Sequence, residues 1–199
     1  MKRLLISASL AVSAILPSAA HAQAIPAAVV AVVDLEKVTS TCNACRTARA
    51  ALQSQLTGLQ NRQQALAGPL ETEGKAIQAA VDALAGKDPD AALKARAQAW
   101  ETKRQQAAQE LERQQAQIQA NGQYVQKQIA DKLGPIYSQV MQRRGANIMV
   151  EIGTTLASGS ALDVTNDVLA ALNSALPTVS TTAPAPAQAA RPQTKPQGR

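Results

Sequence analysis

A long but interrupted seam of apolar residues constrains this chain more than any other feature. Between residues 46 and 144, apolar residues recur at intervals of three, four or seven, as in a coiled coil whose helix face meets one partner helix. The seam comprises Leu52, Leu56, Leu59, Leu66, Leu70, Ile77, Ala80 and Leu84, and then Leu93, Ala97, Trp100, Ala107, Leu111, Ile118 and Val125. Polar residues interrupt both halves: Gln63 and Glu73 in the first, and Arg104, Gln114 and Asn121 in the second. The pattern predicts two long helices that share one narrow contact face.

A cluster of turn-forming residues, Gly86-Lys87-Asp88-Pro89-Asp90, separates the two halves of the seam. Because glycine, proline and aspartate favour chain reversal, we expect an antiparallel helical hairpin. At about 1.5 Å per residue, each helix would extend on the order of 55–75 Å. Ser40 or Thr41 is expected to cap the first helix. The pairs Gly68-Pro69 and Gly134-Pro135 predict kinks, because proline lacks the backbone donor and clashes with the preceding turn.

Strand-like segments lie on both sides of the hairpin. Ala27–Leu35 is a short β-branched apolar run, typical of a strand covered on both faces. Ala146–Ile152 is apolar at every second position from residue 148, which indicates a second strand, and Thr154–Ala157 is expected to form a third. A final helix is predicted over Asn166–Leu176 with Thr165 as N-cap. The predicted fold class is α+β and mostly helical, with a coiled-coil hairpin inserted in a small β body.

The predicted β body has few residues from which to form a hydrophobic core. A few strands and one short helix bury too little surface to be stable alone, and oligomerisation is the usual remedy. We therefore predict an oligomer with projecting arms. The predicted organisation is a signal peptide at 1–22, a body with the C-terminal helix at 23–45 and 145–176, a hairpin arm at 46–144, and a disordered Pro/Ala-rich tail at 177–199.

The N-terminus has the features of a secretory signal peptide. A basic start, Met1-Lys2-Arg3, is followed by the apolar stretch Leu4–Leu16 and by the small-x-small site Ala20-His21-Ala22. The apolar stretch is too short to span a bilayer, and no later apolar run reaches about 18 residues. We expect cleavage after Ala22 and a soluble, exported protein. Cleavage would remove the only histidine in the chain, so no histidine-based catalytic or metal site is expected.

The charge of the hairpin segment is moderately positive. It holds fourteen Lys and Arg residues against nine Asp and Glu residues, a net charge of +5. This mixture is typical of a solvated helical surface. The alternative is weak attraction to acidic partners or to anionic membrane headgroups. Nucleic acid is not an expected partner, because the chain is exported and has only one Trp and two Tyr that could stack on bases.

Cys42-Asn43-Ala44-Cys45 is the one motif whose side chains could form a covalent bond, react or bind a metal. Arg46 in the fifth position excludes a c-type haem attachment, and a zinc site would need two further ligands. A structural disulfide is the first interpretation. A redox-active pair is the second, because a helix N-terminus lowers thiol pKa values. Metal binding and free thiols complete the alternatives.

Trp100 and the carboxylates each have a structural and a functional interpretation. Trp100 lies on the seam, where packing between the helices is the default and an exposed ring that grips another polypeptide is the alternative. The carboxylates are scattered along the helices without a pair suited to acid–base catalysis. We predict neither an enzymatic activity nor a cofactor, and no metal site.

The order of segments resembles a known family. An initial strand ends in Val-Val-Asp-Leu, a helical hairpin follows, then Ile-Met-Val-Glu-Ile, and a closing helix begins Leu-Asp-Val-Thr-Asn-Asp-Val-Leu. This layout resembles the OmpH/Skp family of periplasmic chaperones over Val29–Leu176, most specifically at Val30–Val38 and Leu162–Leu172. Members of that family are trimers around a small β body. Their helical arms enclose a cavity that holds unfolded outer-membrane β-barrel proteins without ATP.

The resemblance implies roles for individual residues. It implies a periplasmic homotrimer with unfolded β-barrel proteins as partners. Its trimer body would include Val29, Val30, Val32, Val33, Ile148, Val150 and Ile152. The client-facing arm would include Trp100, Lys75, Lys94, Lys103 and Arg104. The Cys42/Cys45 pair and the mid-arm proline depart from the family pattern. The alternative functions are a structural coiled-coil adaptor of the cell envelope and, third, a thiol-redox protein.

Overall fold

The computed structural model describes residues 26–184, so the predicted signal peptide at 1–22 and the predicted tail beyond residue 184 lie outside the described residues. Long helices dominate, with a small parallel sheet. The elements are β1 (Val30–Val33), α1 (Leu35–Thr41), α2 (Asn43–Asp82), α3 (Ala91–Arg144), β2 (Ile148–Glu151) and α4 (Thr165–Ala175), with 3-10 turns at Ile152–Thr154 and Ser160–Leu162. The prediction of a mostly helical chain with a small sheet is confirmed.

The sheet joins the two ends of the described chain. β1 and β2 are parallel, in a register that pairs Val30 with Ile148. The other edge of β1 meets the segment before α4, where the backbone N–H of Val164 donates to the carbonyl of Val32 at 2.8 Å. The predicted third strand over Thr154–Ala157 is wrong. The hydroxyls of Thr154 and Thr155 donate to backbone carbonyls three residues earlier, and such local bonds compete with strand pairing.

The helix starts differ from the expected ones. Asp34 caps α1, since its side chain accepts from the N–H of Lys37 at 2.7 Å. Cys42 interrupts the helix and is the N-cap of α2. The predicted caps Ser40 and Thr41 instead lie inside α1, where their hydroxyls donate back to the carbonyl of Lys37. Both residues therefore have helical backbone within α1, and the N-cap position of α2 falls on the next residue, Cys42.

The connection between α2 and α3 forms where the turn residues predicted it. Ala85 and Gly86 both have positive φ angles, and the side chain of Asp90 caps α3 by accepting from the N–H of Leu93 at 2.7 Å. Both helices continue through their prolines, Pro69 and Pro135.

The final helix, α4, is confirmed to within one residue at each end. Its N-cap, however, is Val164 rather than Thr165. The hydroxyl of Thr165 accepts from the backbone N–H of Asp34 at 2.9 Å and so ties α4 to the start of α1. Asp163 accepts from Thr165, and these hydrogen bonds lower the pKa of Asp163 below its usual value.

One apolar cluster, called the core below, contains residues from both ends of the described chain. It also contains residues from the roots of the two long helices, which are the start of α2 and the end of α3. It comprises Ala31, Val33, Val38, Cys42, Ala44, Cys45, Leu133, Ile136, Val140, Val164, Val168, Leu172 and Leu176. The last turns of α3 therefore pack against the core, although the predicted arm boundary at residue 144 placed them in the hairpin. Apolar side chains near the root have α4 beside them and bury more surface there.

The remainder of the long helices, residues 49–82 and 91–132, is called the helical pair. Side chains bridge it at successive levels: Asn121 with Gln55, Glu110 with Arg62, Trp100 with Leu70 and Arg96 with Glu73. Most seam residues are half-buried, as expected for a single contact face. No helix in residues 26–184 is both long and apolar enough to cross a membrane.

Residues 177–184, at the start of the tail predicted from residue 177, have a defined path in the structure. This segment, called the C-terminal strap, lies along the root of the helical pair. Val179 packs against the core, and Ser180, Thr181 and Ala183 form main-chain hydrogen bonds to side chains of α2 and α3. Its Pro, Thr and Ser composition has no helical or strand period, so nothing local indicated this placement.

Candidate functional site

The predicted arm residues lie on the helical pair, and Trp100 is the one on its seam. Trp100 is half-buried there, and its indole N–H donates to the backbone carbonyl of Leu70 at 2.8 Å. The ring lies against Gly74, where an added Cβ would come within 3.1 Å of it. These contacts place Trp100 between the two helices. In the described residues Trp100 therefore packs between α2 and α3, as in its default interpretation.

Two ion pairs cross the helical pair. Arg62 contacts Glu110, and Arg96 contacts Glu73, each through two hydrogen bonds of 2.7–3.0 Å. In each pair the hydrogen bond from the guanidinium is the main reason that the pKa of the carboxyl lies below its usual value. These side chains are largely solvated, so the pairs set the alignment of the helices more than they stabilise them.

The predicted cationic residues do not form one cluster. Lys75 pairs with Glu71 and Arg104 pairs with Glu101, in both cases within a single helix. Arg104 also lies over the ring of Trp100, with its guanidinium carbon 5.6 Å from the ring centroid. Lys103 borders a different surface, the cleft described next. The charges are thus distributed along the helical pair and partly neutralised.

A cleft of about 320 Å³ opens between the helices beside Pro69. Its apolar walls come from Ala65, Leu66, Leu70 and Ala107, while the ion pair Arg62–Glu110, Lys103 and Gln106 form its polar rim. Of the five predicted arm residues, only Lys103 lines it. An open surface with both apolar and polar side chains offers apolar contacts without a fixed arrangement of polar groups.

The predicted body residues divide by exposure. Val32 and Val33 are buried within their own chain, and Val30 and Val150 are half-buried. Val29, Ile148 and Ile152 are exposed by 47%, 42% and 38%. Exposed large apolar residues therefore gather at the sheet, beside a second cleft that Leu35, Tyr137 and Met149 help to line.

Cys42 and Cys45 are joined by a disulfide in the structure. Both residues are buried in the core, beneath α4, and the N–H of Asn43 between them donates to the side chain of Asn173 in that helix at 2.8 Å. Burial separates the sulfurs from solvent thiols, which argues against a redox role. Within the described residues, no three His, Cys, Asp or Glu side chains are grouped to hold a metal ion.

A cluster of amide side chains escaped the sequence analysis. Asn121 is only 4% exposed, and it donates to Gln55 across the helical pair while its oxygen accepts from Gln117 and from the N–H of Ala183. The one available signal was an asparagine at a seam position, which must be hydrogen-bonded if it is buried. Its partner in the strap could not be foreseen.

Comparisons with known proteins identify a matching family and a similar fold. A sequence model of the family described as outer membrane protein (OmpH-like) matches residues 29–172. A crystal structure from Caulobacter crescentus CB15, of an OmpH-like protein described as an outer membrane chaperone, is similar with a TM-score of 0.67. The alignment has 18% sequence identity and covers 83% of this chain and 95% of that chain. At this identity the likeness establishes a shared fold. A search of the curated proteins gives no match.

Proposed function

The chain belongs to the OmpH-like family, and from this premise we propose that it is an ATP-independent holding chaperone of the periplasm. Its clients are unfolded outer-membrane β-barrel proteins, which it keeps from aggregating. The observation that carries the proposal is the helical pair itself. It is a long surface with a half-buried seam and dispersed charges, and within the described residues it has no group of His, Cys, Asp or Glu side chains that could hold a metal ion.

A holding chaperone needs many weak contacts rather than one tight pocket, because a client must stay unfolded and still be released. In this proposal the helical pair forms an antiparallel hairpin arm. Trp100, Arg104 and the lysines 75, 94 and 103 contribute to its client-facing surface. The net charge of +5 between residues 46 and 144 would accelerate encounter with acidic clients at low ionic strength.

The proposal includes a homotrimer built around the sheet. Within the described residues the sheet has two strands, so the outer edge of β2 has no strand beside it. Exposed Val29, Ile148 and Ile152 lie at or next to this sheet. A strand edge flanked by apolar side chains favours association with further copies. The signal peptide at 1–22 would deliver the chain to the periplasm.

Replacing Ile148 by Asp tests the trimer. A charge at a shared apolar interface should cost several kcal/mol, about 3 or more if it stays unpaired, so the variant should dissociate. Light scattering would measure its mass beside that of Leu156→Asp, a change at a fully exposed residue outside the sheet. A wild-type protein that is a folded monomer at micromolar concentration would contradict the trimer.

Shortening the helical pair tests holding. Removing residues 71–99 and closing the chain with a Gly-rich turn leaves Leu70 opposite Trp100, which preserves their hydrogen bond and the levels nearer the core. The shortened protein should keep its oligomeric state and lose most of its ability to suppress light scattering by a β-barrel protein diluted from urea. Raising salt from 0.1 M to 1 M should weaken capture by the full-length protein, because the Debye length falls from about 10 Å to 3 Å.

The outcomes separate holding from other roles. Undiminished suppression by the shortened protein would overturn the arm as the holding surface. Binding of a single folded partner from a periplasmic extract, with no suppression of aggregation, would instead support the envelope adaptor.

A further inference from the structure

The C-terminal strap is bound almost entirely through its main chain. The N–H and the carbonyl of Ser180 pair with the side-chain amide of Gln128 at 3.0 and 2.9 Å, so one glutamine satisfies both groups of one residue. The carbonyl of Thr181 accepts from Gln55 at 3.0 Å, and the N–H of Ala183 donates to Asn121 at 2.8 Å. These contacts reach both helices of the pair.

The side chains of the strap contribute little to this arrangement. Val179 alone packs against the core, whereas the hydroxyl of Ser180 bonds only within the strap, to the carbonyl of Thr182. Recognition therefore depends on backbone donors and acceptors, which every non-proline residue carries. A surface that binds backbone in this way does not require one particular sequence.

The strap is also held weakly enough to exchange. Apart from Val179, Thr181 and Ala183, which are half-buried, its residues are exposed. The net contribution of each hydrogen bond is similar in size to the entropy lost by ordering one residue. A segment with few buried apolar contacts belongs to the part of a protein that opens most readily.

We propose that Gln55, Asn121 and Gln128 form a binding site for an extended polypeptide main chain. The strap occupies this site in the free protein, and an unfolded client segment takes it when a client is bound. The identification of an unfolded client as the natural ligand of this site rests on the proposed holding function. Tethering gives the strap a high effective concentration, so free peptides at low concentration do not displace it. A captured client, held beside the site, presents many segments at comparable concentration.

The test uses the full chain with the double substitution Ser180→Pro and Ala183→Pro, which removes the two backbone N–H groups that the strap donates to Gln128 and Asn121. The probe is a fluorescein-labelled peptide with the sequence of residues 177–184, and its binding is measured by fluorescence anisotropy. The substituted protein should bind the peptide about tenfold or more tightly than the wild type, whose own strap competes. Adding Asn121→Ala and Gln128→Ala to the substituted protein should abolish this gain.

Two controls isolate main-chain recognition. Thr181→Ala with Thr182→Ala changes two strap side chains and keeps every backbone group, so it should bind the peptide as weakly as the wild type does. A peptide N-methylated at the positions of Ser180 and Ala183 should not bind the substituted protein. Equal affinity of wild type and proline variant, or binding that survives loss of the two amides, would overturn the site.

A measurement on the unmodified protein covers the case in which the proline variant does not fold. Hydrogen exchange at the amides of Ser180 and Ala183 should accelerate when a urea-unfolded β-barrel client is added, while the amide of Val168 in the core stays protected. Unchanged exchange in the presence of bound client would overturn displacement of the strap. Light scattering tests holding separately: peptide binding without aggregation suppression would refute the proposed function and leave the site intact.

Discussion

The core and the helical pair bury their side chains to very different degrees. Val38, Val140, Val168 and Leu172 in the core have no exposed surface, whereas seam residues of the helical pair such as Leu66 are mostly half-buried. In residues 49–132 only Ala107, Asn121 and Val125 are classed as buried, and one of these is polar. The core meets several elements at once, while each helix of the pair has one partner.

This difference separates stability from adaptability. Apolar burial contributes about 25 cal/mol per Å², so the core carries most of the folding free energy per residue. The helical pair keeps its alignment through exposed ion pairs and dispersed contacts, which contribute little and rearrange easily. A surface that must accept many unfolded sequences benefits from such weak internal contacts, provided that a rigid core anchors it.

Matched leucine truncations should produce the largest contrast between the two regions. Leu172→Ala should lower the free energy of unfolding by about 2–5 kcal/mol, because it leaves a cavity among fixed neighbours. Leu66→Ala should cost only about 1 kcal/mol, because its half-buried side chain borders an open cleft. Urea denaturation followed by circular dichroism, at one fixed protein concentration, measures both. Equal losses would show that the two regions are equally well packed.

Removing the disulfide should have an intermediate effect and should act on the core. The double variant Cys42→Ala and Cys45→Ala should lose about 2 kcal/mol at most, because the closed loop is short. Alanine avoids burying the hydroxyls that serine would introduce. We expect the variant to remain folded and to suppress aggregation normally, since the helical pair does not contain the bond. Complete unfolding of the variant, or free thiols in protein isolated from the periplasm, would contradict a structural disulfide.

Acidification should produce the smallest effect, and it should act on the helical pair. The pKa values of Glu73 and Glu110 are lowered in the folded state by hydrogen bonds from Arg96 and Arg62. Their stabilisation is therefore present above the unfolded pKa, about 4.3, and is lost as pH falls through the lower folded values. Trp100, the only tryptophan, reports on this region.

The measurement compares the fluorescence of Trp100 from pH 7 to pH 3 in the wild type and in Glu73→Gln. The variant should show a weaker acid response, because its cross-helix pair is already absent. Glu112→Gln, on the same helix as Glu110 but outside these pairs, is the control and should respond as the wild type does. An acid response unchanged by Glu73→Gln would show that the ion pair does not stabilise the helical pair.

Local patterns in the sequence were sufficient for the main elements. The three-and-four spacing predicted α2 and α3, and glycine and aspartate predicted the turn before Ala91. The alternation around Ile148 predicted β2. Where the predicted caps and the predicted third strand differ from the structure, hydroxyls of Ser40, Thr41 and Thr154 bond to carbonyls of their own segments. Such choices depend on geometry that residue spacing does not encode.

The candidate site was less predictable than the fold. The sequence identified Trp100 as a seam residue but not that its indole bonds to a backbone carbonyl on the other helix. It identified lysines and arginines but not which of them would be paired. Asn121 counted only as an interruption of the seam, although it is the centre of the amide cluster. Polar contacts over long sequence separations have no periodic signature.

The sequence by itself determined the helical period, the turn before Ala91, the two strand segments of the sheet and the resemblance to the OmpH-like family. All of these rest on short-range patterns repeated along the chain. Only the tertiary structure decided that the end of α3 belongs to the core and that residues 177–184 bind the root of the helical pair. The physical reason is that both placements depend on which distant groups remain unsatisfied once the helices have packed, and that is a property of the folded chain.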